Sequence, residues 1–564
     1  MKVSRIFALL LAAMLMFGLF AGCTGGTSTG TAATTAAGTT AATTAGTTAA
    51  AGTTAPPETP SAPEGSDPYA EGSFAGYPMV CAAGETLSLY LQTGPGYNKA
   101  YTSFDESPFH VGLEEHLGVD IDWRMAPAGT DGNQAYNLMI ASGDLTEIMY
   151  VWGINNDAQD FLDDEYIYAL TDLYPVYAPA YWKLINDDPD KLLSTKTDSG
   201  VLYGFAFFRE DLMLGTYEGP MIRKDLLDAV GETAPVTIDD WNRVLYKFQS
   251  ENVVKYPLSV WGGDALDRIF TNPFGFSFGY FVDENHKTVY GESTEGYREF
   301  LKLMNKWYTD GILDPDFATN DRPAIQTKVF ADEIGATRTS KGTVTSYMKP
   351  LQELGSPAEW LPLSYPVAKE GDPVYFLQAE QPSLGIQAVI TTKCHNIPLA
   401  MRVLDYGYTD EGMIYWNFGY EEGGISECVD GHWRYTEEAK NHPDGISQMI
   451  QRYTGIAGNG FTLMMVDGSK SQNEGIGWEA AETWWDGADT SRLFPPVTPT
   501  TAEGNAISNS ANAISTYVSE MMYKFIMGEE SIDGFDTYLE ELRGMGLDTV
   551  LQIKDQQVAR YFAR

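Results

Sequence analysis

Trp152, Trp261, Tyr97, Asn98, Asp144, Arg223 and Asp264 combine flat rings with short polar groups, each beside a strand-like run. Aromatic rings offer flat apolar faces for stacking, and carboxylate, amide and guanidinium groups offer hydrogen bonds to a polar solute. Tyr97 and Asn98 follow one strand-like run, Trp152 follows another, and Trp261 and Asp264 follow a third. Packing is the competing role for each ring, since the chain holds 12 Trp, 33 Tyr and 26 Phe and large aromatics are more often core than ligand. Asp144 alternatively caps a neighbouring helix. Arg223 alternatively pairs with an acidic residue, and that reading is favoured. Glu421 fits turn or hinge architecture better than ligand contact, while Trp416, Trp478, Trp484 and Trp485 are further, unranked candidates.

Other chemistries find less support. The chain has six histidines, no HExxH and no CxxC pair, so neither a zinc site nor a cofactor is expected. Asp283-Glu284-Asn285-His286-Lys287 begins like a calcium loop but lacks the Gly and distal Glu that loop needs, so it reads as a solvated turn. With 77 acidic residues a carboxylate pair for glycoside hydrolysis stays open, although no nucleophile motif is expected to support it. A polysaccharide-docking module without transport is a second rival.

The elements that must position these groups alternate. Thr86–Leu91 is a first strand, Ser107–Leu117 a helix, and Val119–Trp123 a second strand. Ala135–Ala141 is a helix stopped by Gly143, and Ile148–Val151 is a short apolar strand. Strand, helix, strand, helix, strand implies right-handed crossovers and a mostly parallel sheet, with ligands at the carboxyl edge. Leu170–Leu193 reads as helical segments broken at Pro175, Pro179 and Pro189. Met221-Ile222 is strand-like and Asp225 opens a helix. Thr237 with Asp240 forms a helix cap. Pro257–Trp261, Glu295–Tyr308 and Glu333–Ala336 repeat the strand and helix signals in a second lobe.

The first residues have another purpose. Lys2 and Arg5 precede an apolar run, Ile6–Phe20, that ends in Ala21-Gly22-Cys23, as in a lipoprotein signal with Cys23 lipidated. Residues 24–76 are nearly all Thr, Ala, Gly, Ser and Pro, which cannot bury a core and read as a disordered stalk reaching about 40 Å. The expected organisation is a signal over 1–22, a lipidated Cys and stalk over 23–76, and a two-lobed α/β domain over 77–564. Lobe 1 takes roughly 77–215 and lobe 2 roughly 216–389, each with later segments. The formal net charge of −41 disfavours nucleic acid as a partner. Of Cys81, Cys394 and Cys428 at least one is free; Cys394 and Cys428 could pair, which spacing alone does not show.

Several blocks carry a family resemblance. Ile140-Ala141-Ser142-Gly143-Asp144-Leu145 matches an "ASGDLPD" signature, with Thr146-Glu147 in place of Pro-Asp. Ile222-Arg223-Lys224-Asp225-Leu226-Leu227 and Pro235-Val236-Thr237 form a second block, and Trp307 to Thr319 a third. Asn396 to Tyr406 form a fourth, and Asn417-Phe418-Gly419-Tyr420-Glu421 a fifth. In order along the chain, they resemble the family 1 extracellular solute-binding proteins of bacterial ABC importers, in the large oligosaccharide-binding lipoprotein branch. The resemblance implies a periplasmic-binding-protein-like fold: two α/β lobes on a hinge that close over a solute, usually an oligosaccharide or aldouronate. It implies delivery to permease subunits by a monomer held on the outer face of the cell membrane, with no catalysis.

Overall fold

The computed structural model describes residues 85–92, 101–127, 130–152, 154, 158–262, 266, 269–381, 383–419, 424–456 and 460–564. Two sheets with separate cores organise them. The strands in chain order are β1 Thr86–Leu91, β2 Asp120–Arg124, β3 Ile148–Tyr150, β4 Gly204–Arg209, β5 Glu218–Arg223, β6 Tyr256–Leu258 and β7 Tyr280–Val282. They continue with β8 Thr288–Tyr290, β9 Ile334–Ser340, β10 Trp360–Pro362, β11 Ser383–Ile390, β12 Ser426–Val429, β13 His432–Tyr435 and β14 Leu463–Met464.

The first sheet has six strands in the order β14-β4-β11-β3-β1-β2. β1 is parallel to β2 and β3, and β14 is parallel to β4. β11 lies between β3 and β4 and is antiparallel to both. The sheet is therefore parallel with one reversed strand. Ile148, Met149 and Tyr150 are wholly buried, as a strand covered on both faces requires. The helix Gly132–Ser142 stops where expected: Gly143 takes φ 70° and its N–H reaches the carbonyls of Met139 and Ile140.

The second sheet has four strands, β10-β5-β9-β6. β9 and β6 are parallel, whereas β5 opposes β9 and β10. Again one strand is reversed. One face packs Ile222, Leu258 and Ala336 into a core with Trp241, Trp307 and the 27-residue helix Thr501–Met527. The other face packs Met221 and Trp360 against Trp484. Trp484 approaches Gly219 so closely that a Cβ there would lie 2.6 Å from the indole, and its Nε1 donates to Pro220 O at 3.1 Å.

Local signals explain most element ends. Thr237 and Asp240 form a reciprocal capping box at the start of Ile238–Ser250. The prolines expected to break helices instead open them: Pro175, Pro179 and Pro189 occupy first turns, where the missing N–H is unused. Asp283–Lys287 forms the turn of the β7–β8 hairpin, with Asp283 Oδ1 accepting from the N–H of Asn285 and Lys287. Cys394 and Cys428 are free thiols, one buried and one exposed. Among the described residues no helix is long and apolar enough to cross a membrane.

Candidate functional site

The chain passes from one sheet to the other through the reversed strands. It leaves lobe 1 at the end of β4 and enters lobe 2 along β5; it leaves lobe 2 after β10 and returns along β11. Because β5 and β11 run backwards, both crossings join the carboxyl edges of the two sheets. A later passage from β14 leads to the helix Ile476–Trp485, which packs on β5 and β10. Direct contacts agree. Arg209, the last residue of β4, donates to Gln381 O at 2.7 Å and pairs with Glu380. Lys341, directly after β9, reaches Ser469 Oγ, beyond β14, at 2.9 Å. Burial, with Arg209 nearby, lowers the Lys341 ammonium to about 8. The carboxyl edges thus confront each other, the position at which open α/β sheets bind ligands.

Trp152 lies on the lobe 1 edge, immediately beyond β3, and is 40% exposed. Its backbone N–H donates to Gln92 Oε1 at 2.8 Å, and Gln92 Nε2 donates to Asn133 Oδ1 at 2.9 Å. Its indole N–H is tied to the Tyr150 hydroxyl. The ring is exposed yet fixed, the combination a stacking platform needs.

Trp261 lies on the lobe 2 edge, beyond β6. Its ring carries the guanidinium of Arg338 at 4.1 Å and that of Arg322 at 5.1 Å. Arg338 is buried and paired with Glu218, and Arg322 lies 3.6 Å from the same carboxylate. Burial lowers Arg338 to about 10. Behind Trp261, buried Asp314 accepts from Ser259 Oγ, from Asn320 Nδ2 at 3.1 Å, and from Lys328, while Asn320 also donates to Val260 O at 3.2 Å. Burial alone would raise the Asp314 carboxyl; these partners hold it below the usual carboxylate range. The network pins the backbone from which Trp261 projects.

Two expected contacts sit on the wrong edge. Arg223 ends β5, and because β5 is reversed that end faces away from the interlobe edges. Its guanidinium is bidentate to Asp225, with contacts of 2.7 and 2.6 Å, and lies 3.3 Å from Asp332. Asp144 precedes β3 rather than following it, so it too lies on the remote edge. It is exposed, 4.0 Å from Arg124. Tyr97, Asn98 and Asp264 lie outside the described residues, as do Cys23 and Glu421.

A cavity of about 330 Å³ was not anticipated. Tyr217 from the first crossing, Tyr375 to Gln381 from the second, the β7 hairpin and Arg492 to Phe494 line it. Its walls come from four separate stretches, so no local signal marks it. Gln92, Asn133, Glu218, Arg338 and Lys341 were also missed; Gln92, Glu218, Arg338 and Lys341 share the signal of a polar residue at or near a strand end, whereas Asn133 opens the helix Gly132–Ser142.

Two stretches with nucleophile spacing also escaped the sequence reading. In Gly275-Phe276-Ser277-Phe278-Gly279, Ser277 lies between the short turn Asn272–Phe274 and β7, not on a strand-to-helix elbow. It lines the cavity, where no histidine is found among the described residues. Ser346 of Ser346-Tyr347-Met348-Lys349 sits within the helix Lys341–Leu354, exposed, its hydroxyl donating to Thr343 O at 2.6 Å.

Comparison with known structures places this geometry. The chain superposes on a human-milk-oligosaccharide-binding ABC-transporter-associated solute-binding protein from Bifidobacterium longum infantis with a TM-score of 0.70 and 17% identity, covering 85% of this chain and 99% of that one. The fold is that of the solute-binding proteins. FusA, an S. pneumoniae ABC-transporter substrate-binding protein solved with kestose, matches this solute-binding fold with a TM-score of 0.65 and 19% identity over 85% of this chain and 100% of that one. The alginate-binding protein AlgQ2, solved without calcium ion, matches at 0.63 and 18% identity over 84% and 98%. In sequence, the lipoprotein LipO of Bacillus subtilis (strain 168) is 28% identical over 229 residues, 38% of this chain and 43% of that protein. The matched segment thus spans less than half of that relative. No family model matches.

Proposed function

We propose that the protein is the solute-binding component of an ABC importer, anchored outside the cell through Cys23, and that it captures an oligosaccharide between its lobes. The observation that carries this reading is the confrontation of two carboxyl edges across paired crossings, with Trp152 on one edge and Trp261 on the other. The likeness to FusA and to the Bifidobacterium protein supports it, because FusA is an ABC-transporter substrate-binding protein solved with kestose and the other is an ABC-transporter-associated protein that binds human-milk oligosaccharides. Trp152, Gln92 and Asn133 form the lobe 1 side. Trp261, flanked by Arg322 and Arg338, forms the lobe 2 side and offers a guanidinium-lined ring. Arg223 and Asp144 have no part in it. The solute leaves unaltered, in a closed form that docks on permease subunits.

The test is calorimetry with kestose, human-milk oligosaccharides and alginate oligosaccharides, beside small-angle scattering. A bound sugar at 100 times its Kd stabilises the fold by about 2.7 kcal/mol and reduces the radius of gyration. Absence of binding across the panel overturns the reading, and so does cleavage of any of these sugars, which would instead favour the hydrolase.

A further inference from the structure

The cavity at the crossings has defined chemistry. Tyr217, Phe278, Tyr375 and Phe494 present rings, and Arg492 and Glu380 present charges. Its volume of about 330 Å³ is within the range of small-molecule sites, roughly 300–1,000 Å³. We propose that this cavity is a subsite of the solute-binding site and seats one pyranose or furanose unit of the bound sugar. The proposal rests on the carbohydrate reading above and adds a location distinct from Trp152 and Trp261, neither of which lines the cavity.

Three observations carry it. The walls are pre-formed. Gln378 Oε1 accepts from the N–H of Tyr217 and Glu218 at 2.7 and 3.1 Å, and its Nε2 donates to Gly215 O at 3.2 Å, stapling the two crossings side by side. On the far wall Asn272 Oδ1 accepts from the N–H of Tyr375 and Phe376 at 2.9 and 3.1 Å. A site held in this way orders little on binding.

The polar groups retain capacity. Arg492 lies 5.2 Å from the Tyr375 ring centroid, and its ion pair with Glu284 is long at 3.9 Å, Glu284 itself being mostly exposed. Its N–H groups therefore have room to donate to sugar hydroxyls. Glu380 is oriented by Arg209 and by the Tyr217 hydroxyl at 2.9 Å, and its carboxylate accepts from hydroxyls. Ring faces with hydroxyl-seeking groups at their margin match a sugar better than a wholly apolar ligand.

Placement gives the third. Tyr217 belongs to one crossing and Tyr375 to Gln381 to the other, so an occupant touches both strands of the hinge. A sugar unit seated there is sensitive to the angle between the lobes.

The experiment uses the full chain, and calorimetry with kestose, maltotriose and chitotriose. A saccharide that binds the wild type should lose at least tenfold in affinity in Tyr375→Ala and in Arg492→Met. Hydroxyl-radical footprinting of the wild type should show Tyr375 and Phe494 protected by the same saccharide, a readout that needs no variant to fold. Affinity within twofold of wild type in both variants, or unprotected Tyr375 and Phe494, overturns the subsite while leaving oligosaccharide binding intact. If no saccharide of a panel widened to the sugars named above binds the wild type, the carbohydrate reading fails, and this subsite fails with it.

Discussion

Trp152 and Trp261 show how differently one residue type is prepared at matching positions. Trp152 is fixed through its own N–H groups to Gln92 and Tyr150, which leaves ring surface exposed. Trp261 is overlaid by guanidinium groups. Trp152→Ala should weaken sugar binding about tenfold, on the order of 1.4 kcal/mol, with unfolding unchanged; equal affinity by calorimetry removes it from the site. Asp314 is a supporting residue of another kind. Asp314→Ala strands Lys328 beside buried polar groups and should cost about 3–5 kcal/mol in urea unfolding. His110 gives a pH signature. Burial against Phe104, Phe109 and Trp123 pushes its imidazole down to about 3. A depressed folded-state value makes its contribution complete above pH 6.5 and progressively lost as pH falls toward 3. At pH 5 the loss from this one group is about 2 kcal/mol, and His110→Gln should remove that share of the acid sensitivity.

At the scale of elements, hydrophobic runs and caps were legible and direction was not. β1, β2 and β3 stand out as apolar or alternating runs, and Gly143 and the Thr237–Asp240 pair mark their helix ends on sequence alone. Thr237→Ala should cost about 1 kcal/mol by loss of the cap, measurable as a shift in the denaturation midpoint. Trp152 and Trp261 fall on the confronting edges because they follow forward strands. Arg223 was misplaced because a strand's pattern is the same read forward or backward, and only its pairing with β9 and β10 shows that β5 is reversed. Asp144 was misplaced by proximity, since four residues before a strand lies at its opposite end from four residues after. Arg338 and Lys341 were missed because Thr337-Arg338-Thr339-Ser340 is polar throughout, and nothing local shows that Thr337, Arg338 and Thr339 are buried.

For the whole molecule, ties between lobe 1 and the lobe 2 helices accompany the crossings. Asp198, just before β4, pairs with Arg560 and Arg564 beyond the lobe 2 core, and Thr498 Oγ1 donates to it at 3.1 Å. Asp198→Ala should loosen this tie and enlarge the radius of gyration without sugar, measured by scattering, while the sugar-bound value stays nearer wild type. Cys23→Ala should release the protein from membranes into the medium, seen by fractionation; retention in the membrane fraction refutes the anchor.

The interior position of β11 has a consequence for biogenesis. A chain that emerges amino end first presents β3 and β4 long before the strand that belongs between them, because all of β5 to β10 comes in the interval. The smaller sheet holds its whole complement of strands by Pro362, but Trp484 and the helix Thr501–Met527 that cover its two faces emerge later. The larger one waits with the inner edge of β3 and both edges of β4 unpaired, the condition under which unpaired strands recruit other chains. Nascent chains truncated near residue 370 should therefore be cut over 85–209, where β11 is missing, and also over 218–362, whose covering residues Trp484 and Thr501–Met527 come later, with protection appearing only in the full-length chain.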